Sequence, residues 1–196
     1  KNISDEKEIY LRKIIRDLIL VPEMLSASHE VIRGDIKIAV ANLRDPLKNS
    51  GNQGIHMDWK PREKKTDPYD GVVCFIFLED SDEDNGPLRI IPGTHKKMGW
   101  PDEYIDIFKP HKDERKMIVK AGTIIVANLN LWHGGSNNLS GRSRKMIMVN
   151  IKRREELQLL NYKKYLSDET KKKLSPEQSY LLAVRDCDLT QKEDSI

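Results

Sequence analysis

Cysteine is nearly absent from this chain: Cys74 and Cys187 are the only two, too few for a disulfide framework. Cys74 sits inside an apolar run and reads as a small buried hydrophobe, so a reducing, cytoplasmic setting is the default expectation. Long hydrophobic runs are missing too. The best, Val72–Leu78, is strand length, far short of the ~20 residues a membrane helix needs. Charge of either sign is not in excess, since 34 Lys and Arg against 31 Asp and Glu leave only +3. That bias is too small to imply nucleic acid, and no basic stripe is interleaved with the aromatics, which make up 6%. No internal repeat, low-complexity tract or signal-peptide pattern is present; the chain opens on Lys1 rather than Met, so its natural start is expected upstream. What remains, 38% hydrophobic and 33% charged over 196 residues, describes a soluble globular domain with a real core.

Periodicity divides the chain into three. From Ile3 to Leu20, Ile9, Leu11, Ile14, Ile15, Leu18 and Ile19 recur at helical spacing between charges. Ser4 is the expected N-cap, with Asp5 and Glu6 in the first turn, and Pro22 the expected stop. Strand-like patterns follow at Asp35–Leu43, Gly71–Leu78, Pro87–Ile91, Lys116–Val119, Thr123–Ala127 and Lys145–Ile151. Turn chemistry separates them, as in Asp84-Asn85-Gly86-Pro87 and Pro92-Gly93. Short strands without alternating helices argue for a β-sandwich or barrel. Beyond Arg153, Glu155–Leu166 and Asp168–Val184 read as short outer helices, with Ser175-Pro176-Glu177 as one start, and the end from Asp186 as a mobile tail. The expected organisation is one domain: 1–34 helical, 35–153 β-core, 154–196 helices and tail.

The chemistry concentrates in His56-Met57-Asp58. Two side chains two residues apart point to the same side of an extended backbone, so imidazole and carboxylate share a face. His133, in Trp132-His133-Gly134-Gly135, is the leading third ligand. Two His and one carboxylate leave three positions of an octahedral ion open, as Fe(II) oxygenases need, whereas zinc is more often tetrahedral with one open position. Arg144 opens the last strand of the core. A guanidinium there suits a dicarboxylate such as 2-oxoglutarate through a two-pronged clamp.

A wider pattern supports this. Asn85-Gly86-Pro87-Leu88-Arg89-Ile90-Ile91-Pro92-Gly93-Thr94-His95-Lys96 resembles the NGPL-x-x-x-PGSHK signature of the phytanoyl-CoA dioxygenase family. Ala121-Gly122-Thr123, then Trp132-His133-Gly134, Asn138, Ser140, Arg142 and Arg144 are similar to that family's C-terminal half. The resemblance covers roughly Asp35 to Arg153. It implies a mainly β double-stranded β-helix (jelly roll, cupin-like), here with flanking α-helices at both ends. It also implies Fe(II), 2-oxoglutarate and O2, with His56, Asp58 and His133 as iron ligands and Arg144 as the 2-oxoglutarate arginine. Arg142 is a neighbouring basic position. Gly135 stands where many members carry a serine that helps bind 2-oxoglutarate; Ser136 and Asn42 are the candidates to replace it.

The activity implied is hydroxylation of a small-molecule substrate, with release of succinate and CO2. The alternatives are a Zn- or Mn-dependent cupin-type isomerase or hydrolase, or a catalytically silent metal-binding domain. Trp59, Arg62 and Trp100 are candidate substrate contacts, each with an ordinary reading beside it: a core aromatic, a solvated charge cluster, a loop residue. His95 is expected to serve the Pro-Gly turn, and His29 and His111 to be plain surface residues. No nucleic-acid or membrane partner is expected, and the oligomeric state is open.

Overall fold

The computed structural model describes residues 13–186. Of these, residues 13–40 join residues 151–186 in one compact unit, and Ala41–Asn150 form the other. The strands are β1 (Ile36–Arg44), β2 (Gly71–Phe77), β3 (Leu88–Ile90), β4 (Arg115–Lys116), β5 (Ile124–Asn128), β6 (His133–Gly135) and β7 (Met146–Arg153). They form a four-stranded sheet ordered β1-β7-β2-β5 and a three-stranded sheet ordered β4-β3-β6.

β2 anchors the unit that holds the site. All seven of its residues are buried, which is why its sequence runs apolar without alternation. It pairs antiparallel with β5, Cys74 opposite Val126. Val73, Phe75, Phe77, Leu88, Leu129 and Met146 form the largest buried cluster there, and Trp59 packs against it. Removing a side chain such as Phe77 from such a core costs about 3–5 kcal/mol. β3 pairs antiparallel with β4 and with β6, placing Ile90 opposite His133. β6 was not expected from the sequence. Its His-Gly-Gly composition has no strand signature, and it pairs because glycine lets the backbone of residues 51–54 come close. The strand expected at Lys116–Val119 is shorter: only Arg115–Lys116 pairs in a ladder, and Val119 makes an isolated bridge to Ser81.

The other unit carries the α-helices of the described residues. The first helix is described over residues 13–18; the expected cap at Ser4 lies outside the described residues, as does the tail beyond Asp186. Pro22 ends that helix but also opens another, α1 (Pro22–Ile32), which the sequence reading missed. Proline is tolerated at a first helical position because that N–H has no intrahelical partner anyway. Towards the C-terminus, α2 (Tyr162–Tyr165), α3 (Asp168–Lys172) and α4 (Pro176–Leu181) replace the two longer helices expected. Residues before Asn161 stay non-helical because buried Gln158 donates to the Ile38 and Leu182 carbonyls. Asn161 and Ser167 cap α2 and α3, and Ser175 and Gln178 close a reciprocal capping box on α4, as its Ser-Pro-Glu start suggested. No helix among the described residues is long and apolar enough to cross a membrane.

Candidate active site

One backbone bridge builds the centre of the site. His56 N–H donates to the His133 carbonyl at 2.8 Å, and His133 N–H returns to the His56 carbonyl at 2.9 Å. Residues exchanging both bonds in an antiparallel pair present their side chains on one face, and the two rings lie 4.5 Å apart. Asp58 is two residues further on and faces the same way; its amide is held by the Leu129 carbonyl at 2.9 Å.

The surroundings set the protonation of both rings. Nδ1 of His56 lies 2.9 Å from the Gly54 carbonyl, and Nδ1 of His133 lies 2.9 Å from the Leu131 carbonyl. A carbonyl only accepts, so each proton is on Nδ1 and each Nε2 presents a lone pair. Burial pushes the His133 imidazole below its ordinary range against the opposing pull of Asp58, which favours the neutral, ligand form. Nε2 of His133 is 3.6 Å from Asp58 Oδ1, and Nε2 of His56 is 3.9 Å from it. The ligand atoms of all three residues fall within 4.8 Å of one another.

Two of these atoms are orphans. His133 Nε2 and Asp58 Oδ2 are buried without a hydrogen-bond partner. Leaving a buried polar group bare costs about 1–3 kcal/mol, and converging lone pairs on two imidazoles and a carboxylate are relieved together by one cation. The donor set fits a divalent ion with open positions. Phe75 on β2 buttresses the far side, edge-on to His133 with centroids 5.6 Å apart.

The triad opens into a cavity of about 380 Å³. Arg144 lines it, only 4% exposed. Its Nε has no partner, and one terminal nitrogen rests 3.6 Å from the Met146 sulfur. Burial lowers its pKa while Asp45 opposes the shift; a guanidinium nevertheless remains charged. The Arg144 backbone N–H donates to Asp45 Oδ1 at 3.1 Å, fixing where the side chain starts. Arg142 goes elsewhere: its guanidinium is 61% exposed and donates to Asp82 at 2.6 Å.

The remaining candidates divide. Asn42 is on the exposed part of β1 and does not line the cavity. Ser136 Oγ is buried without a partner but does not line the cavity either. Gln53, which no sequence motif marks, does line it. A Cβ on Gly135 would come within 2.5 Å of the Gly51 carbonyl oxygen and 3.1 Å of Gln53 Oε1. Position 135 therefore has no room for a serine here. Gly135 N–H donates to Gln53 Oε1 at 3.0 Å, which turns the amide NH2 of this cavity-lining residue outward from that bond. Trp59 and Trp100 line a second, smaller cavity that also touches Asp58, with Trp59 Nε1 held by Asp70 at 2.8 Å. Arg62 is not at either cavity: it donates to the Lys65 and Asp67 carbonyls and lies over the Tyr69 ring, holding its own loop. His95 packs against Tyr69, and His111, expected at the surface, is partly buried in a third cavity.

The antiparallel β2–β5 and β4-β3-β6 pairings bring a two-His, one-carboxylate cluster beside a buried arginine, a donor set that could hold a divalent ion. The chain belongs to the phytanoyl-CoA dioxygenase (PhyH) family, whose model matches residues 16–146. Dioxygenase olcK of Penicillium canescens is 29% identical over 146 residues, covering 70% of this chain and 47% of that protein. Ectoine dioxygenase of Bordetella bronchiseptica is 22% identical over 169 residues, covering 71% and 53%. The chain thus spans about half the length of these curated relatives. Among solved structures, HygX from Streptomyces hygroscopicus, with nickel, 2-oxoglutarate and hygromycin B bound, superposes with a TM-score of 0.57 at 15% identity, covering 72% of this chain and 65% of that one. The apo form of the non-heme monooxygenase ThoJ gives 0.58 at 19%, covering 70% and 54%. These likenesses establish the jelly-roll fold.

Proposed function

We propose that the protein is an Fe(II)- and 2-oxoglutarate-dependent dioxygenase that hydroxylates a small molecule. His56, Asp58 and His133 hold the iron, and Arg144 holds the distal carboxylate of 2-oxoglutarate. The observation that carries this reading is the meeting, in one cavity, of three converging ligand atoms with a buried guanidinium that has no carboxylate partner among the described residues. A Zn or Mn hydrolase on the same scaffold has no use for that guanidinium. The dioxygenase and hydroxylase names of its relatives, among them L-proline trans-4-hydroxylase of Streptomyces griseoviridis, agree with the reading. We also propose a reducing, cytoplasmic setting, which keeps iron in the Fe(II) state that the site requires.

When bound, iron with 2-oxoglutarate and O2 supplies the oxidation, yielding succinate, CO2 and a hydroxylated substrate. The chain's own contributions are positional. Gly54 and Leu131 carbonyls fix the imidazole tautomers. Arg144 orients the co-substrate with a two-pronged contact that lysine lacks. We assign the second co-substrate contact, in place of the serine that Gly135 excludes, to cavity-lining Gln53, whose Oε1 is held by the Gly135 N–H. Leu43, Phe75, Leu88, Met146 and Met148 give the cavity apolar walls that displace water from the reacting C–H group. The test is succinate release over a metabolite panel, run with and without Fe(II). Release that requires both Fe(II) and 2-oxoglutarate and is lost in His133→Ala supports the reading. Binding of a metal without any affinity for 2-oxoglutarate returns the protein to the hydrolase class.

A further inference from the structure

The charges around the cavity are unequal in how they are used. On the reading just proposed, the inner cavity is neutral once loaded. Two positive charges from the ion and one from Arg144 offset one negative charge on Asp58 and two on 2-oxoglutarate. The only other acid lining the cavity, Asp45, is already committed. Its two oxygens accept from Ser143 Oγ at 3.1 and 3.0 Å, and Oδ1 also accepts from the Arg144 N–H at 3.1 Å. Lys145 Nζ, shared with Glu79, lies 3.8 Å from it. One cavity-lining cation then makes no ion pair. Arg44, at the end of β1, lines the cavity and is exposed, and its guanidinium has no hydrogen-bond or ion-pair partner among the described residues. Asn52, next along the exposed rim, has no side-chain partner either.

We infer that Arg44 is the substrate-anchoring residue, and that the substrate is a carboxylate-bearing molecule with an apolar body. The carboxylate meets Arg44 where the cavity opens to solvent, and the body lies against Leu43, Leu88 and Met148 toward the triad. A guanidinium fork matches a carboxylate in geometry as well as charge. A neutral substrate would leave that charge unanswered, and a cationic one would be repelled by it. Because the Arg44 side chain is exposed and has no hydrogen-bond or ion-pair partner among the described residues, its replacement is expected to leave the fold unchanged.

The test uses the full chain loaded with Zn(II), which blocks turnover, and with saturating 2-oxoglutarate, so that Arg144 is occupied. Hexanoate and its uncharged match, hexanamide, are titrated and followed by ligand-observed NMR. Hexanoate is expected to bind about three- to tenfold more tightly, the range for a partly screened charge-assisted contact. The preference is expected to disappear in Arg44→Gln, persist in part in Arg44→Lys, and shrink as salt is raised. The affinity of Arg44→Gln for 2-oxoglutarate is expected to stay within about twofold of wild type, because the two sites are independent. Failure of hexanoate to bind, equal binding of acid and amide, or a preference that survives Arg44→Gln overturns the anchor alone, provided 2-oxoglutarate still binds. Failure of the wild type to bind 2-oxoglutarate overturns the proposed function and the anchor together.

Discussion

Arg142 donates to Asp82 across a 2.6 Å surface contact, while Arg144, two residues on, is buried in the cavity with no carboxylate partner among the described residues. The two arginines are thus assigned different tasks by their neighbours. Arg144→Ala is expected to weaken 2-oxoglutarate by about ten- to a hundredfold, since a charge-assisted hydrogen bond is worth about 1.5–3 kcal/mol. Arg144→Lys should recover only part of that loss. Arg142→Ala removes an exposed ion pair worth about 0–1 kcal/mol and should leave the co-substrate dependence unchanged. Succinate formation against 2-oxoglutarate concentration checks all three; a damaging Arg142→Ala with a benign Arg144→Ala would reverse the assignment.

His133 Nε2 and Asp58 Oδ2 are buried polar atoms that a bound cation would satisfy, so metal binding is expected to stabilise the fold. Zn(II) at a hundred times its Kd is expected to stabilise the wild type by about 2.7 kcal/mol, or roughly 5–10 °C in Tm for a chain of this size. Asp58→Ala should show no such rise, and without metal it should melt no lower than the wild type, having lost an unsatisfied buried charge. Thermal unfolding of both proteins, each with and without Zn(II), provides the comparison. A metal-dependent rise that persists in Asp58→Ala would place the ion elsewhere.

Gly135 is where a serine of the family pattern is excluded by a backbone crossing. Gly135→Ser is therefore expected to destabilise the fold by about 1–3 kcal/mol through overpacking against the Gly51 carbonyl. It should also lower 2-oxoglutarate affinity by displacing Gln53. Urea unfolding measures the first effect and calorimetric titration the second. A neutral or improved variant would mean that this crossing yields easily.

What could be read in advance follows a physical division. β2 was visible because burial on both faces demands a continuous apolar run. The His56–Asp58 pair was visible because a two-residue spacing brings side chains to one face whatever the exact strand pairing, and the cluster adds His133 from a distant segment. β6 was not, since two glycines give no strand pattern and its pairing depends on a distant backbone. α1 was obscured by Pro22, a residue that suits a helix start as well as a stop. Gln53, Asp45 and Arg44 were invisible for another reason. Their importance comes from a cavity assembled by β1, the loop after it and β7, and no local spacing encodes that.

In the unit carrying the termini, Asp35 accepts a short hydrogen bond from the Tyr180 hydroxyl and lies 3.0 Å from Arg154 Nε. Burial pushes the Asp35 carboxyl up, but Tyr180, the Ile36 amide and Arg154 together outweigh it and hold it below its ordinary value of 3.8. A depressed carboxylate contributes stability that is present above the unfolded value and lost as pH falls through and below it. Tyr180→Phe should therefore destabilise the protein near neutral pH by less than about 1 kcal/mol, because Asp35 is half exposed. The difference from wild type should narrow below about pH 4. Denaturant midpoints at neutral and acid pH give the comparison; a difference that widens in acid would contradict the assignment.

The central claim is that one cavity holds a divalent iron and 2-oxoglutarate together, one end of the co-substrate on the metal and the other on Arg144. Anaerobic titration of 2-oxoglutarate, with and without Fe(II), tests it most directly. One rigid molecule making both contacts should bind weakly without iron and at least about tenfold more tightly with it, by the effective-concentration gain of a two-point attachment. Equal affinity in the two titrations would contradict the account, because the ligand would then be binding away from His56, Asp58 and His133.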